Sequence, residues 1–376
     1  MIDTVAIILE REDFLISKPK KFNPSAEGLI MTPYYTTSYK GFIKCVNNPE
    51  KDEVIKYGYL PRLTLFGRKS SKGFTIQLKI EFSAPKLLFG NNFEELDDRD
   101  FNQLISELKI KLQIMGIVTT EDKLRNAKVS TIHFSKNIVL DNSIRCSFIL
   151  NELRKINLDK CIDLNNTDYR NNGHAVRYHT NSYEIVFYDK LKDLERSKIS
   201  EKRSIEKDNW MQLDLFNKED RLKKNDILRF EVRLNSRSLT KILNILNIGN
   251  LSTFQALFSK SISRKALLHY TKIILDNWMP VNKPEITPEE LYSEIYRNNS
   301  FKPNKILQMM GALYIINSIG YLGLRNFMEG YSNRTWYRLK SELEKIDLKN
   351  NYNLILLTDI IDKIDKFETT KLKLIN

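Results

Sequence analysis

The sequence predicts an α+β fold, in which helices lie on one face of a largely antiparallel sheet, followed by an all-helical C-terminal domain. Over the first 245 residues, segments whose apolar residues repeat every second position are interspersed with segments whose apolar residues repeat with the period of a helix. A Gly-containing loop, GRKSSKG, joins two of the strand-like segments as a hairpin. From about residue 251 the pattern is helical, and 376 residues exceed the usual size of a single core. We therefore predict two domains, 1–250 and 251–376.

The elements follow from these patterns in order. Strands are predicted for DTVAIIL, LPRLTLFGRK, GFTIQLKIEFSA, AKVSTIHFSKNIVL, SYEIVFYDK and DILRFEVRLNS. A helix over DDRDFNQLISELKIKLQIMG ends at Gly116, and a second helix covers residues 142–156. The first helix carries the apolar stripe Leu104, Ile105, Leu108, Leu112 and Met115. We interpret LNNTDYRNNGHAV as a loop and the charge-rich residues 191–226 as an exposed helix and loop.

Charge and composition narrow the class of function. Sixty Lys and Arg against 47 Asp and Glu give a formal charge of +13, which favours nucleic acid as a partner. No long apolar run and no basic amphipathic end helix are present, so we predict a cytoplasmic protein without membrane contact. Cys45, Cys146 and Cys161 lie far apart without a CxxC motif, which argues against a disulfide framework and a structural zinc site.

The stretch SYEIVFYDKLKDLERSK contains a candidate nucleophile. Period two puts Tyr188 and Lys190 on one strand face and Tyr183, Ile185 and Phe187 on the other. A cation a few ångströms from a phenol favours the ionised form of the phenol and could also hold a phosphate. The alternative is structural, because tyrosine is common in strands and lysine is common at solvated edges.

Two more strand-like segments carry polar residues opposite an apolar set. VSTIHFSK presents His133, and LRFEVRL presents Arg229 and Glu231. If the three strands are neighbours, the imidazole and the carboxylate could hold a divalent cation that polarises a phosphate for attack by Tyr188. The alternatives are a half-buried polar histidine and a solvated row of ion pairs around Glu231.

The order of these segments resembles a known family. MID at the start, SAPKLLFGNNFEEL at 83–96, VSTIHFS, IVFYDKLKDLE and LRFEVRLNSRSL are similar to phage and plasmid replication proteins typified by the gene II initiator of filamentous phages. The resemblance covers about residues 1–245. It implies an HUH-endonuclease-like fold and a rolling-circle nicking and joining reaction.

The resemblance also implies site residues. Tyr188 falls on the family's nucleophile, Lys190 on the lysine two residues later, and Arg229 and Glu231 on a late-strand arginine and glutamate. Where the phage initiator has an aspartate, this sequence has His133. The wider superfamily uses a His-hydrophobic-His pair, and the segment HFS at 133–135 resembles a version without the second histidine.

The C-terminal part contains a candidate DNA-binding motif. The residues from 302 to 346 are typical of a helix, a short helix, a turn at Gly330 and a last helix capped by Ser332. Inward-facing Trp336, Leu339 and Leu343 would leave basic residues outward, which is the layout of a helix-turn-helix recognition helix. The alternative is the corner of an ordinary helical bundle.

These observations predict a rolling-circle replication initiator that nicks and rejoins single-stranded origin DNA through a 5′-phosphotyrosine, with Mg²⁺ or Mn²⁺. The expected partners are single-stranded and duplex origin DNA and a host polymerase and helicase. The candidate residues are Tyr188 and Lys190 for catalysis, Glu231 and His133 for the metal, and Arg229, Arg334, Arg338 and Lys340 for DNA. The main alternative is a non-catalytic origin-binding initiator or repressor, and a strand-exchanging transposase would share the chemistry.

Overall fold

A nine-stranded antiparallel sheet dominates the computed structural model. The structure describes residues 1–30, 36, 44–71, 73–140, 145–154, 156, 167–170, 173–193, 226–249, 252–276, 287–298, 301–343, 346 and 360–370. The strands are β1 Ile2–Leu9, β2 Leu15–Ile16, β3 Cys45–Asn47, β4 Arg62–Ser70, β5 Gly73–Ser83, β6 Ile117–Val118, β7 Lys128–Val139, β8 Thr167–Arg170, β9 Ala175–His179, β10 Tyr183–Asp189 and β11 Ile227–Asn235. Their order in the large sheet is β3-β4-β5-β1-β7-β11-β10-β9-β8, and β2 pairs with β6 separately.

The α-helices of the sheet region and of the C-terminal region follow one another along the chain. They are α1 Glu27–Ile30, α2 Lys51–Tyr57, α3 Ala84–Phe89, α4 Phe101–Ile114, α5 Glu121–Asn126, α6 Cys146–Arg154, α7 Ser236–Ile245, α8 Phe254–Leu257, α9 Lys260–Asp276, α10 Pro288–Asn298, α11 Pro303–Phe327 and α12 Asn333–Leu343. Helices α7 and α9 pack against β7 and β11, and α6 packs against β9 and β10. Within the described residues, no helix combines the length and the apolar character that a membrane crossing requires.

The local sequence patterns confirm much of the predicted order. All five residues of the predicted apolar stripe on α4 are buried, and Gly116 follows that helix with a φ of 87° that favours glycine. Strands β4 and β5 form the predicted hairpin. Thr287 and Glu290 exchange hydrogen bonds between side chains and backbone amides at the start of α10, which is the predicted capping box. The α+β prediction with a helical C-terminal region is therefore confirmed.

Two segments differ from their predictions. The predicted loop at 164–176 contains β8 and the start of β9, because Val176 and Tyr178 bury their side chains and β9 pairs with β10. The predicted helix and short helix before Gly330 form one helix, α11, since a helical glycine costs only about 1 kcal/mol and no proline interrupts the segment. Most of the predicted charge-rich helix and loop, residues 194–225, lies outside the described residues.

Two clusters of buried apolar side chains organise the described residues. The larger one joins the sheet to α8, α9 and residues 360–367, and Phe254 packs edge-on against Phe82 and Phe101 at 5.9 and 5.4 Å between ring centres. The smaller one joins α10, α11 and α12 around Trp336. The core of the sheet therefore contains side chains from both sides of residue 250. The division of the chain at that residue stays a prediction.

A buried carboxylate ties residues 360–370 to the sheet. Glu95 Oε2 accepts hydrogen bonds from Lys136 Nζ at 2.5 Å and from the Thr370 amide at 2.8 Å. Glu95 Oε1 accepts one from the Asn137 amide at 2.6 Å. Glu95 lies after α3, in the same segment as Asn92. Its contacts therefore hold this segment beside the polar face of the sheet.

Candidate active site

Three adjacent strands bring polar side chains together on one face of the sheet. The β10–β11 register sets Tyr188 opposite Arg229, and the β7–β11 register sets His133 opposite Arg233. Glu231 lies between the two arginines on the same face of β11. The period-two alternation of each strand predicted this face, and the antiparallel registers bring the three strands into contact.

Glu231 is the centre of this cluster. Its Oε1 accepts hydrogen bonds from Tyr188 OH at 2.7 Å and from Arg229 Nε at 2.8 Å. Its Oε2 accepts from Arg233 Nε at 3.1 Å and Nη2 at 2.9 Å. Burial alone would raise the pKa of Glu231, but Arg233 and Arg229 hold it well below its usual range. The carboxylate is therefore ionised and held in one orientation.

Tyr188 is held as a neutral phenol in this arrangement. Burial around its hydroxyl raises the pKa of Tyr188 well above its usual value, and the Glu231 carboxylate adds to that shift. Its ring faces Lys190, whose Nζ lies 5.8 Å from the ring centre. The sequence predicted that Lys190 would favour the ionised phenol or hold a phosphate. The net pKa shift of Tyr188 is upward, because burial and the Glu231 carboxylate outweigh the charge of Arg229.

Lys190 is enclosed rather than solvated. Strand β10 ends at Asp189, so Lys190 lies in the following helical turn, where its side chain is 0 % exposed. Its Nζ donates a hydrogen bond of 2.7 Å to Asn92 Oδ1. Burial, followed by the charge of Arg229, lowers the pKa of Lys190 to about 7. Near neutral pH the side chain is thus divided between ammonium and amine.

The Arg229 guanidinium is surrounded by protein groups that accept its hydrogen bonds. Besides its bond to Glu231, its guanidinium donates to the Asn92 carbonyl at 3.0 Å, Asn137 Oδ1 at 2.9 Å and Ser135 Oγ at 3.1 Å. The side chain is 1 % exposed. These partners and Asp3 enclose the guanidinium, so the position of Arg229 favours a supporting role inside the cluster.

Asp3 belongs to the site although the sequence interpretation did not single it out. Its Oδ1 lies 2.8 Å from Arg229 Nη2 without hydrogen-bond geometry, and this buried oxygen has no hydrogen-bond partner among the described residues. One ligand atom each from Asp3, His133 and Glu231 lie within 4.8 Å of one another. Burial and then Arg233 lower the pKa of His133, which favours the neutral imidazole that binds metals. Two carboxylates and an imidazole fit Mg²⁺ or Mn²⁺.

The signal for Asp3 was present in the sequence as the segment MID, which carried part of the resemblance. What was missing was the order of the strands. β1 lies between β5 and β7 in the centre of the sheet, so its polar residue joins the face that carries His133.

A family model for the N-terminal region of the replication-associated gene II protein matches residues 1–256. This match covers more than half of the chain and includes every residue of the cluster around Glu231. The chain belongs to the filamentous-phage gene II replication initiator family. No curated protein and no solved structure matches the chain.

In this replication initiator a cavity opens beside the cluster. Its volume is about 270 Å³, and His133 and Arg233 form one side of it. The turn between β9 and β10 forms the other side and contributes the polar side chains of Thr180, Asn181 and Ser182. The cavity therefore offers hydrogen-bond donors and acceptors next to His133 and Arg233 of the cluster.

The predicted basic residues of the C-terminal part lie on α12, beyond the matched region. Ser332 Oγ accepts from the Thr335 amide at 3.3 Å, which is the predicted cap. Trp336, Leu339 and Leu343 are buried in the smaller core. Arg334 and Arg338 are exposed, and Lys340 is half-buried. Arg334 and Arg338 therefore face outward, as the helical spacing predicted, whereas Lys340 is partly covered.

Proposed function

We propose that this initiator nicks and rejoins single-stranded origin DNA, with Tyr188 as the nucleophile and a 5′-phosphotyrosine as the intermediate. Membership of the initiator family supports the role in DNA replication. The observation that carries the finer proposal is the 2.7 Å hydrogen bond from Tyr188 OH to Glu231 Oε1. That bond holds a nucleophilic oxygen beside a group of candidate metal ligands. We further propose that the sheet is of the HUH-endonuclease type.

The proposed step breaks one bond for each bond formed. The Tyr188 oxygen attacks the phosphorus, the new oxygen–phosphorus bond forms, and the bond to the 3′ oxygen breaks. The phenol proton is lost and the 3′ oxygen gains a proton, so the protein must exchange protons near neutral pH. Lys190, with a pKa of about 7, is suited to that exchange, whereas Glu231 is too weak a base and instead orients the phenol. Joining is the reverse of this step.

We propose that Asp3, Glu231 and His133 hold Mg²⁺ or Mn²⁺. When bound, such an ion would stabilise the negative charge that develops on the phosphate. Both Glu231 oxygens are occupied by protein donors, and Arg233 is the more exposed of its arginine partners, with 34 % of its side chain exposed against 2 % for Arg229. Movement of Arg233 would free Glu231 Oε2 as a ligand.

DNA would contact two parts of the chain. The cavity of about 270 Å³ beside His133 suits part of a nucleotide that flanks the cleaved phosphate, and its hydroxyl and amide groups could bind a base. Helix α12 would bind duplex origin DNA through Arg334, Arg338 and Lys340. The free 3′-OH would serve a host polymerase, with a host helicase to separate the strands, in the cytoplasm.

A non-catalytic origin binder is the second candidate, because the raised pKa of Tyr188 leaves the phenol neutral in the protein alone. Covalent capture separates the two functions. Single-stranded origin DNA with a label 3′ of the cut is incubated with the protein and Mn²⁺, and then boiled in detergent. The nicking enzyme keeps the label, and mass mapping places the adduct on Tyr188. Retarded DNA without any adduct would support the binder.

The metal proposal has its own test. Asp3→Asn removes the charge of one candidate ligand and preserves its size, so half-maximal adduct formation should need roughly tenfold or more Mn²⁺. Saturating Mn²⁺ should restore much of the yield. Adduct formation by the parent protein in excess chelator would contradict the assignment of Asp3, Glu231 and His133 as metal ligands.

A further inference from the structure

A second group of metal-ligating side chains lies on the apolar side of β10. The Cys146 thiol and the carboxylates of Asp189 and Asp226 each place one ligand atom within 4.8 Å of the others. Cys146 begins α6, Asp189 ends β10, and Asp226 immediately precedes β11. Asp189 pairs with Leu228, whose side chain is in the core, so this group is separate from the face that carries Tyr188.

The negative charge of this group has little compensation from the part of the protein that the structure describes. Asp189 Oδ1 accepts the Lys192 amide at 3.0 Å, and Asp226 Oδ2 accepts the Cys146 amide at 2.8 Å. The ion pair that the structure shows for Asp226 is with Arg145 at 3.4 Å, and the Arg145 side chain is 69 % exposed. Two carboxylates thus lie beside a thiol in a partly buried pocket, which is unfavourable without a cation.

Protonation of these three groups is the alternative to a bound cation. The directions of their pKa shifts agree with the unfavourable burial of negative charge. Burial raises the pKa of the Cys146 thiol, and Asp189 and Asp226 add to the shift. Burial also raises the pKa of Asp189, with a further contribution from Asp226. Each group therefore gains from a neighbouring positive charge.

A histidine neighbours Asp189, outside the group whose ligand atoms lie within 4.8 Å of one another. The Asp189 amide donates to the His174 carbonyl at 3.0 Å, so the two residues are adjacent across the strands. His174 Nδ1 is buried and has no hydrogen-bond partner within the described ranges of the chain. A buried imidazole nitrogen without a partner is costly unless something binds it.

We propose that Cys146, Asp189 and Asp226 bind a thiophilic divalent cation of the Zn²⁺ class, and that the His174 side chain turns towards them to become the fourth ligand. The thiolate selects a thiophilic ion such as Zn²⁺, whereas Mg²⁺ and Mn²⁺ bind thiolate poorly. Cys146 releases its proton to solvent as the ion binds. The absence of a CxxC motif does not exclude this site, because its ligands come from separate elements.

The site would hold the strand that carries Tyr188. Asp189 lies between Tyr188 and Lys190 in the chain, and the ion would link the end of β10 to the starts of α6 and β11. This role is structural and independent of the proposed DNA cleavage, so either proposal can fail without the other.

The test uses Co²⁺ as a spectroscopic probe. Cys45 and Cys161 are first replaced by serine, which leaves Cys146 as the remaining thiol of the full chain. Metal-free protein titrated with Co²⁺ should show a thiolate-to-Co²⁺ charge-transfer band that saturates at one ion per chain. The further change Cys146→Ser should abolish the band. Glu231→Gln, in the group around Tyr188, should retain it, which separates the two metal sites.

Affinity measurements assign the other ligands without relying on the cysteine variant. Zn²⁺ competition against the Co²⁺ band should show about tenfold or more weaker binding for Asp226→Asn and for His174→Ala. An unchanged thermal unfolding profile of the metal-free variants serves as the folding control. No band in a folded parent chain, or a band that survives Cys146→Ser, would overturn the site. Unchanged affinity in His174→Ala would overturn its assignment as the fourth ligand.

Discussion

The charged cluster on the sheet and the basic side of α12 use arginine in opposite ways. Arg229 is buried and Arg233 is half-buried, and both pair with Glu231. Arg334 and Arg338 are exposed on α12. Buried, compensated charges are weakly screened by salt and fix geometry, whereas exposed cations are free to bind phosphates and are strongly screened. Local environment rather than residue type therefore separates the candidate chemistry from the candidate duplex binding.

The largest expected effect concerns the nucleophile. Tyr188→Phe removes one oxygen from the cluster and should reduce covalent adduct formation by roughly 10⁴-fold or more, while binding of single-stranded DNA changes little. Tyr183→Phe is the matched control, because Tyr183 packs against Tyr270 with ring centres 5.3 Å apart on the opposite face. Adduct yields on denaturing gels measure both variants. An active Tyr188→Phe enzyme would refute the proposed mechanism.

The next effect contrasts the arginines by stability. Arg229→Met leaves Asp3 and Glu231 without a buried partner and should lower the free energy of unfolding by about 3–5 kcal/mol. Arg334→Met on the exposed side of α12 should change it by less than about 0.5 kcal/mol. Urea denaturation at constant ionic strength provides the measurement. Equal losses for the two variants would remove the distinction between the buried and exposed arginines.

Lys190 should make stability depend on pH. Its folded pKa is about 7, and the unfolded value is near 10.4, so the unfolded chain binds more protons between these pH values. Stability should therefore rise with pH across this window, because the cost of the buried ammonium is full below pH 7 and disappears towards pH 10.

The variant that isolates this effect is Lys190→Met. It should remove up to about 1.4 kcal/mol per pH unit from the slope of unfolding free energy between pH 7.5 and 9. Tyr188→Phe retains the lysine and serves as the control. Urea unfolding at several pH values gives the slopes, and identical slopes for Lys190→Met and the parent would contradict the lowered pKa.

The last expected effect tests the exposed region. Arg334→Ala and Arg338→Ala should each weaken duplex origin binding by roughly 1–3 kcal/mol if the side chain reads a guanine. A lost phosphate contact would instead reduce the salt slope by about 1. Arg297→Ala, on the exposed side of α10, is the charge-matched control. Fluorescence anisotropy over a salt series measures these changes, and equal losses for all three variants would leave only a general effect of charge.

Local patterns predicted the faces of the strands well. The odd or even position of each residue within its strand is enough to assign Tyr188, Glu231 and His133 to polar faces, because side chains alternate between the two faces of any strand. The structure then places these faces side by side in β7, β11 and β10. The apolar stripe of α4 and the capping box at Thr287 were likewise predictable, since both depend on residues within a few positions of each other.

Contacts between distant segments were not predictable in this way. Asp3 reaches the cluster because β1 occupies the centre of the sheet, and no local pattern specifies that order. Asn92 encloses Lys190 from a segment almost a hundred residues earlier, so the lysine is buried where the alternation indicated an open face. The apolar residues of α8 and α9 join the core of the sheet for the same reason.

The bond between Glu95 and Thr370 bears on the biosynthesis of the protein. The two residues are 275 positions apart, and the segment that contains Glu95 also supplies the Asn92 partner of Lys190. On a ribosome this contact cannot form until residue 370 has been synthesised, and long-range contacts of this kind form late. A chain that has not yet reached residue 370 therefore lacks the contact with Glu95 that holds the segment beside Lys190. The order of synthesis therefore delays completion of the polar face of the sheet until residue 370 exists.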